Sequence, residues 1–225
     1  GREMKSVGIN MVYAPVLDVN TNPANPIIGT RALSDIPEWA GRMGKAVIAG
    51  IQEAGVFPVG KHFPGHGDTD RDSHLELPYV NRDADSLEKV ELEPFAQTVS
   101  HGLKVIMTAH VIYSAWDDKL PATFSPIILK SILREKLGFD GLVITDDLEM
   151  KAVEKNIPFE SIPRLGSIAG VDLYLICHDR KKTLSLQNQM IQDIEKGHID
   201  KEQIKLSAQK IIDFKKQIRV SSHGK

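Results

Sequence analysis

Gly141-Leu142-Val143-Ile144-Thr145-Asp146-Asp147-Leu148-Glu149-Met150 runs from branched apolar residues straight into carboxylates. That is the pattern of a strand buried on both faces that ends at a polar rim. A strand is predicted over 141–148, and the same pattern recurs around it. Apolar strands are expected at 8–19, 56–63, 103–112 and 171–178. The five polar ends are Asp18 and Asn20, Lys61 and His62, Thr108 and His110, Thr145 and Asp146, then His178 and Asp179. Helical periodicity fills the gaps at 35–54, 83–101, 125–137, 159–169, 180–196 and 201–217, with Gly55 and Gly102 as stops. Short β-rich runs alternating with helices argue for βα units around a parallel sheet. In such folds the active site lies at the carboxyl ends of the strands. Five strands do not close an eight-stranded barrel of about 250 residues. The sheet is therefore either open or a barrel without its first strands, with unpaired edges and a bare apolar interior expected.

Composition narrows the function classes. The 225 residues are 41% hydrophobic and 26% charged, the usage of a folded globular chain. Acidic and basic residues nearly balance, for a formal net charge of −2, and no basic block occurs. Nucleic acid and anionic membrane are thus not expected as partners. No apolar run approaches the roughly 18 residues of a membrane span. The single cysteine, Cys177, excludes an intrachain disulfide framework and a multi-cysteine zinc site. Lying in an apolar run, it is expected to be a small buried hydrophobe. Ile204, Ala208, Ile211, Ile212 and Phe214 form an apolar stripe expected to cover the sheet rather than a membrane. The opening Gly1-Arg2-Glu3-Met4-Lys5 resembles the middle of a helix, without initiator methionine or signal peptide. The expectation is that upstream sequence is missing, and any targeting signal with it. One domain is expected over 1–219 with a polar tail at 220–225, and nothing in the chain indicates an oligomeric state.

Chemistry concentrates in Lys61-His62-Phe63-Pro64-Gly65-His66-Gly67-Asp68-Thr69-Asp70-Arg71-Asp72-Ser73-His74, the start of a loop after the second strand. It admits three readings. A metal site is one, since His62 and His66 are four apart and His110, Asp146 and His178 could add ligands. Pro64, Gly65 and Gly67, however, oppose the helix that this spacing needs. The second is a turn whose aspartates bond their own backbone. The third is acid/base catalysis. Asp72 and His74 share a side of an extended segment, and a carboxylate beside an imidazole fixes its tautomer. The glycines would let this donor move. Its partner is an ionised carboxylate on a rigid strand end, and alternation lets only one of Asp146 and Asp147 face the axis. Asp147 is expected to be solvated or to cap a helix. Trp39 is expected to pack, whereas Trp116 and Tyr113 are candidate substrate contacts.

The pattern K-H-F-P-G-H-G-x4-D-S-H at 61–74 resembles the signature loop of bacterial β-N-acetylhexosaminidases of glycoside hydrolase family 3. Ile144–Met150 resembles that family's nucleophile strand. Ala14-Pro15-Val16-Leu17-Asp18-Val19 and Asn25-Pro26-Ile27-Ile28-Gly29-Thr30-Arg31 resemble its third-strand region. The resemblance implies a (β/α)8 TIM-type barrel, here without its first strands, and a retaining two-step mechanism with no cofactor and no metal. It implies Asp146 as nucleophile, His74 as general acid and then base, and Asp72 as its orienting partner. Lys61 and His62 would bind sugar hydroxyls and Arg31 would lie near the N-acetylglucosamine ring. The implied substrate is terminal non-reducing β-linked N-acetylglucosamine from peptidoglycan fragments (muropeptides), handled in the bacterial cytoplasm. Secretion stays open because the start is expected to be missing. Two alternatives stand beside this reading. One is a metal-dependent barrel hydrolase using His62, His66, His110 and His178; the other is a non-catalytic sugar-binding fragment.

Overall fold

The computed structural model describes residues 1–69, 73 and 75–220, with side chains throughout except at 218–220. Eight short strands occur among the described residues: β1 (Met11–Val12), β2 (Phe57–Pro58), β3 (Gly60–Phe63), β4 (Tyr79–Val80), β5 (Val105–Thr108), β6 (Ile112–Tyr113), β7 (Leu142–Asp147) and β8 (Leu173–Leu175). Every pairing between them is parallel. β3, β5, β7 and β8 form a four-stranded sheet in chain order, and β1 pairs with β2 just upstream. A bridge between Val16 and Lys61 continues that contact along β3. The five expected strands thus become five successive parallel segments of one wall. Among the described residues no pairing joins β8 back to β1. The fold is α/β, without a closed ring of strands in view.

Side-chain alternation divides the wall into two faces. Ile106 and Val143 point to one face, where they meet Ile48, Leu92, Phe95, Ile128, Leu129 and Leu133 from the flanking helices. Val105, Met107, Leu142 and Ile144 point to the other, where they meet Phe214 and Ile211 of the last helix, Lys201–Val220. Of the expected apolar stripe, Ile211 and Phe214 thus cover the sheet, whereas Ala208 and Ile212 are exposed. This cover also explains why the inner face is not bare: Phe214 is buried and its ring lies 4.3 Å from that of Phe57. No helix among the described residues is long and apolar enough to cross a membrane.

Several elements are shorter than the sequence suggests. The run at 8–19 keeps only β1, because Pro15 has no N–H for a ladder. Its carbonyls still serve: the Val59 N–H is shared by the Val12 and Ala14 oxygens at 3.0 Å each. The helix expected over 83–101 breaks into Ala84–Lys89 and Leu92–Ser100. Pro94 removes the donor that would bond the Val90 carbonyl, so the first helix ends there and a second begins. Cys177 is exposed, contrary to expectation. Pairing in the last strand stops at Leu175, and the chain then turns outward toward Cys177 and His178.

Glu91, at the junction of those two helices, is 2% exposed. Neither of its carboxylate oxygens has a hydrogen-bond partner among the described residues. Burial, reinforced by Asp68 and Asp18 and opposed by Arg82, pushes its carboxyl up to about 7. Because the folded state holds this proton more tightly than the unfolded chain, its stabilisation is complete below about pH 4.5. It is lost as pH rises through about 7. Urea unfolding at pH 5 and pH 8 is expected to show Glu91→Gln gaining on the parent by about 2–3 kcal/mol between the two. Parallel losses in both proteins would show that Glu91 carries no such proton.

Candidate active site

Alternation along β7 sorts the two adjacent carboxylates. Asp147 turns away from the cavity, where its Oδ1 accepts from the Glu149 N–H at 3.1 Å and the Cys177 N–H at 3.3 Å. Asp146 faces a cavity of about 170 Å³ shared with Ile27, Arg31, Lys61, His62, His66, Ser73 and Met150. That space equals the liquid volume of about five or six waters, the scale of one sugar ring rather than a chain. Larger cavities beside Phe159 and beneath Phe214 are also lined by charged side chains, but neither is lined by a histidine. Asp146 Oδ1 accepts from the Asp147 N–H at 2.8 Å, and Oδ2 lies 3.8 Å from His62 Nε2. Burial opposes its charge. The imidazoles of His62 and His110, the Asp147 amide and the Lys61 ammonium outweigh that, holding Asp146 below the usual carboxylate range.

His62 is placed by Asp18, which composition alone does not single out. Asp18 is fully buried. Its Oδ1 accepts from the His62 N–H at 3.0 Å and the His66 N–H at 2.7 Å, while Oδ2 lies 2.7 Å from His62 Nδ1. Burial works against the charge of Asp18, yet His62 and His66 together hold its carboxyl below the usual range. With Nδ1 on Asp18, Nε2 of His62 is left to face Asp146. The visible signal was a charged residue inside the apolar run Leu17-Asp18-Val19.

His66 supports the loop. Its Nδ1 meets Thr69 Oγ1 at 2.9 Å and its Nε2 meets Ser73 Oγ at 3.1 Å. Burial, then the nearby His62, pushes its imidazole down to about 4, so it is neutral near pH 7. Asn25 Nδ2 donates to the carbonyls of His66 and Gly67, and Arg82 grips Asp68 with two nitrogens at 2.7 and 2.6 Å. The glycines here lock the loop rather than loosen it. A Cβ on Gly67 would stand 1.6 Å from the Val19 carbonyl oxygen. Gly65, at φ 145°, would press a Cβ against Glu91. Tyr113 is fully buried and donates to the Gly65 carbonyl, with Trp116 packed on its ring, so Tyr113 is a loop support and not a substrate contact. Trp39 is exposed beneath the Arg42 guanidinium.

Lys61 and Arg31 both line the cavity. Burial pulls the Lys61 ammonium below its usual range against the attraction of Asp146. Arg31 ends a single tight turn, Gly29–Arg31, and donates to the Ile27 carbonyl at 3.2 Å. Asp72 and His74, the expected acid/base pair, lie outside the described residues. Between them in sequence, Ser73 accepts at its carbonyl from the Ala152 N–H at 3.2 Å.

The four histidines proposed as metal ligands do not converge. His62 and His66 use Nδ1 on Asp18 and Thr69. His110 meets Thr123 Oγ1 at 2.7 Å, and its Nε2 donates to the Asp147 carbonyl at 3.2 Å, which assigns the proton to that nitrogen. His178 stands apart, exposed beside Asp147 and Glu149.

Comparison with known proteins gives the family of the chain. The model of the glycosyl hydrolase family 3 N-terminal domain matches residues 1–214. A β-hexosaminidase of Alkalilimnicola ehrlichii is 42% identical over 176 residues, covering 78% of this chain and 50% of the relative. β-Hexosaminidase A of Pseudoalteromonas piscicida is 35% identical over 241 residues, covering 99% of this chain and 40% of the relative. The structure of a family 3 β-N-acetylglucosaminidase from Paenibacillus sp. str. FPU-7 superposes with a TM-score of 0.96 at 38% identity, over all of this chain and 43% of that one. The chain thus spans about half the length of the curated relatives it matches. With a match over nearly its whole length and this polar cavity at the strand ends, the chain belongs to glycoside hydrolase family 3, in the region of that family's N-terminal domain.

Proposed function

We propose that this domain carries the active centre of a retaining β-N-acetylhexosaminidase. It acts on terminal N-acetylglucosamine, with peptidoglycan fragments as the natural source and the bacterial cytoplasm as the compartment. The observation that carries the reading is Asp146: an ionised carboxylate on a rigid strand end, facing an imidazole and an ammonium in a cavity sized for one ring. The names of the relatives, β-hexosaminidase and β-N-acetylglucosaminidase, supply the substrate class.

The steps follow from the residues. Asp146 attacks the anomeric carbon as the glycosidic bond breaks, and the departing oxygen takes a proton from His74. Asp72 orients that imidazole and stabilises its charged form. The resulting ester on Asp146 is hydrolysed by water that His74 deprotonates, so two inversions retain configuration. Histidine here does the work that a second carboxylate does in most glycosidases. Lys61, His62 and Arg31 hold the sugar, and Asp18 keeps His62 aimed at the cavity.

A 2-fluoro sugar with a good leaving group is expected to leave a glycosyl adduct that peptide mapping finds on Asp146. An adduct on Asp147, or none despite turnover of an aryl glycoside, rejects the assignment. His74→Ala should slow substrates with poor leaving groups far more than those with good ones, because only the former need protonation. Uniform slowing across a leaving-group series would deny His74 the acid role. Asp18→Asn cannot accept from both backbone amides and the His62 ring as the carboxylate does. It is expected to lower kcat/KM by about 100-fold while the adduct still forms on Asp146. Unchanged kinetics would separate Asp18 from catalysis.

A further inference from the structure

We propose a divalent-metal site on the opposite face of β7 from Asp146, formed by Asp147, Glu149 and His178. It does not depend on the glycosidase reading. Among the described residues these three offer one ligand atom each within 4.8 Å of one another. His178 Nδ1 lies 3.4 Å from Asp147 Oδ2 and 3.3 Å from Glu149 Oε2. A tetrahedral zinc ion with bonds of about 2.0–2.2 Å to nitrogen and oxygen sets its ligand atoms roughly 3.3–3.5 Å apart. The two separations from His178 already match edges of such a tetrahedron.

The scaffold is prepared as a metal site requires. Backbone amides fix both carboxylates from behind: Glu149 and Cys177 donate to Asp147 Oδ1, and His178 and Asp179 donate to Glu149. Asp147 Oδ2 is thereby left facing the imidazole. Such amide bonds orient ligands in the way outer-shell partners do in known metal centres. Asp147 pairs in register with Leu175 of β8, so the ligands come from two adjacent strand ends rather than from one mobile segment. Two carboxylates balance the charge of a dication, and the imidazole favours zinc or a neighbouring first-row metal over magnesium or calcium. Lys182 approaches Glu149 Oε1 only at 3.6 Å and is also bound by Glu154 at 3.3 Å, so its ammonium has another anchor when a cation enters. The fourth position opens to solvent, since the His178 side chain is 79% exposed. An ion here would clamp the segment 176–179 to the strand that carries Asp146.

A protonated His178 between two carboxylates would give the same spacings, and the test separates the two. The full chain, stripped with a chelator, is titrated with Co²⁺ and then Zn²⁺ by calorimetry and visible absorption. One equivalent of Co²⁺ with tetrahedral d–d bands, displaced by Zn²⁺, is expected. His178→Ala, a change at an exposed position that leaves the fold intact, should weaken Zn²⁺ binding at least about tenfold, and Asp147→Asn should do the same. Absence of stoichiometric binding, or binding undiminished in His178→Ala, overturns the proposal; the second outcome places the ion elsewhere.

Discussion

A carboxylate sealed from water needs donors on every side, because an ion buried without partners costs several kcal/mol. Asp18 is the point where that demand organises this protein. It draws the amides of His62 and His66 and the ring of His62 to one place. In doing so it joins the chain after β1 to the start of the loop after β3. The orientation of His62 toward Asp146 descends from it, whereas the neutral state of His66 comes from burial and from His62, against the pull of Asp18. Replacing the carboxylate by an apolar group would strand two buried N–H groups and a ring nitrogen at once.

β7 then distributes chemistry by simple geometry. Consecutive residues on a strand point to opposite faces, so Asp146 and Asp147 have separate environments although they are neighbours in sequence. Asp146 meets cations and imidazoles; Asp147 meets backbone amides and His178. Between them, the Asp147 carbonyl is held by His110 and sets its tautomer, while Thr123 meets the other ring nitrogen. The strand end is thus fixed on both faces and along its backbone.

Much of this was legible in the chain. The five wall segments, the helical cover and the rim positions of Lys61, His62 and Asp146 follow from apolar runs that stop at polar residues, a local pattern. The last helix showed its buried side in the spacing of Ile211 and Phe214. What escaped was long-range. Cys177 lies in an apolar run, but pairing in β8 ends two residues earlier, and nothing local marks where a ladder stops. Gly65 and Gly67 read as freedom because their neighbours Glu91 and Val19 are distant in sequence. Asp18 stood in plain view as a charge in an apolar run, yet its three bonds reach more than forty residues ahead. The break before Leu92 was readable from Pro94, which local periodicity outweighed.

The contact between Gly67 and the Val19 carbonyl bears on how the pocket can be re-engineered. Two loops meeting backbone to backbone leave no side chain to trim and no slack to absorb an altered chain length. Libraries aimed at new sugar preferences should therefore keep the lengths of 19–25 and 64–69 constant. Diversity belongs at Ile27, Arg31 and Met150, whose side chains reach the cavity without forming that seam.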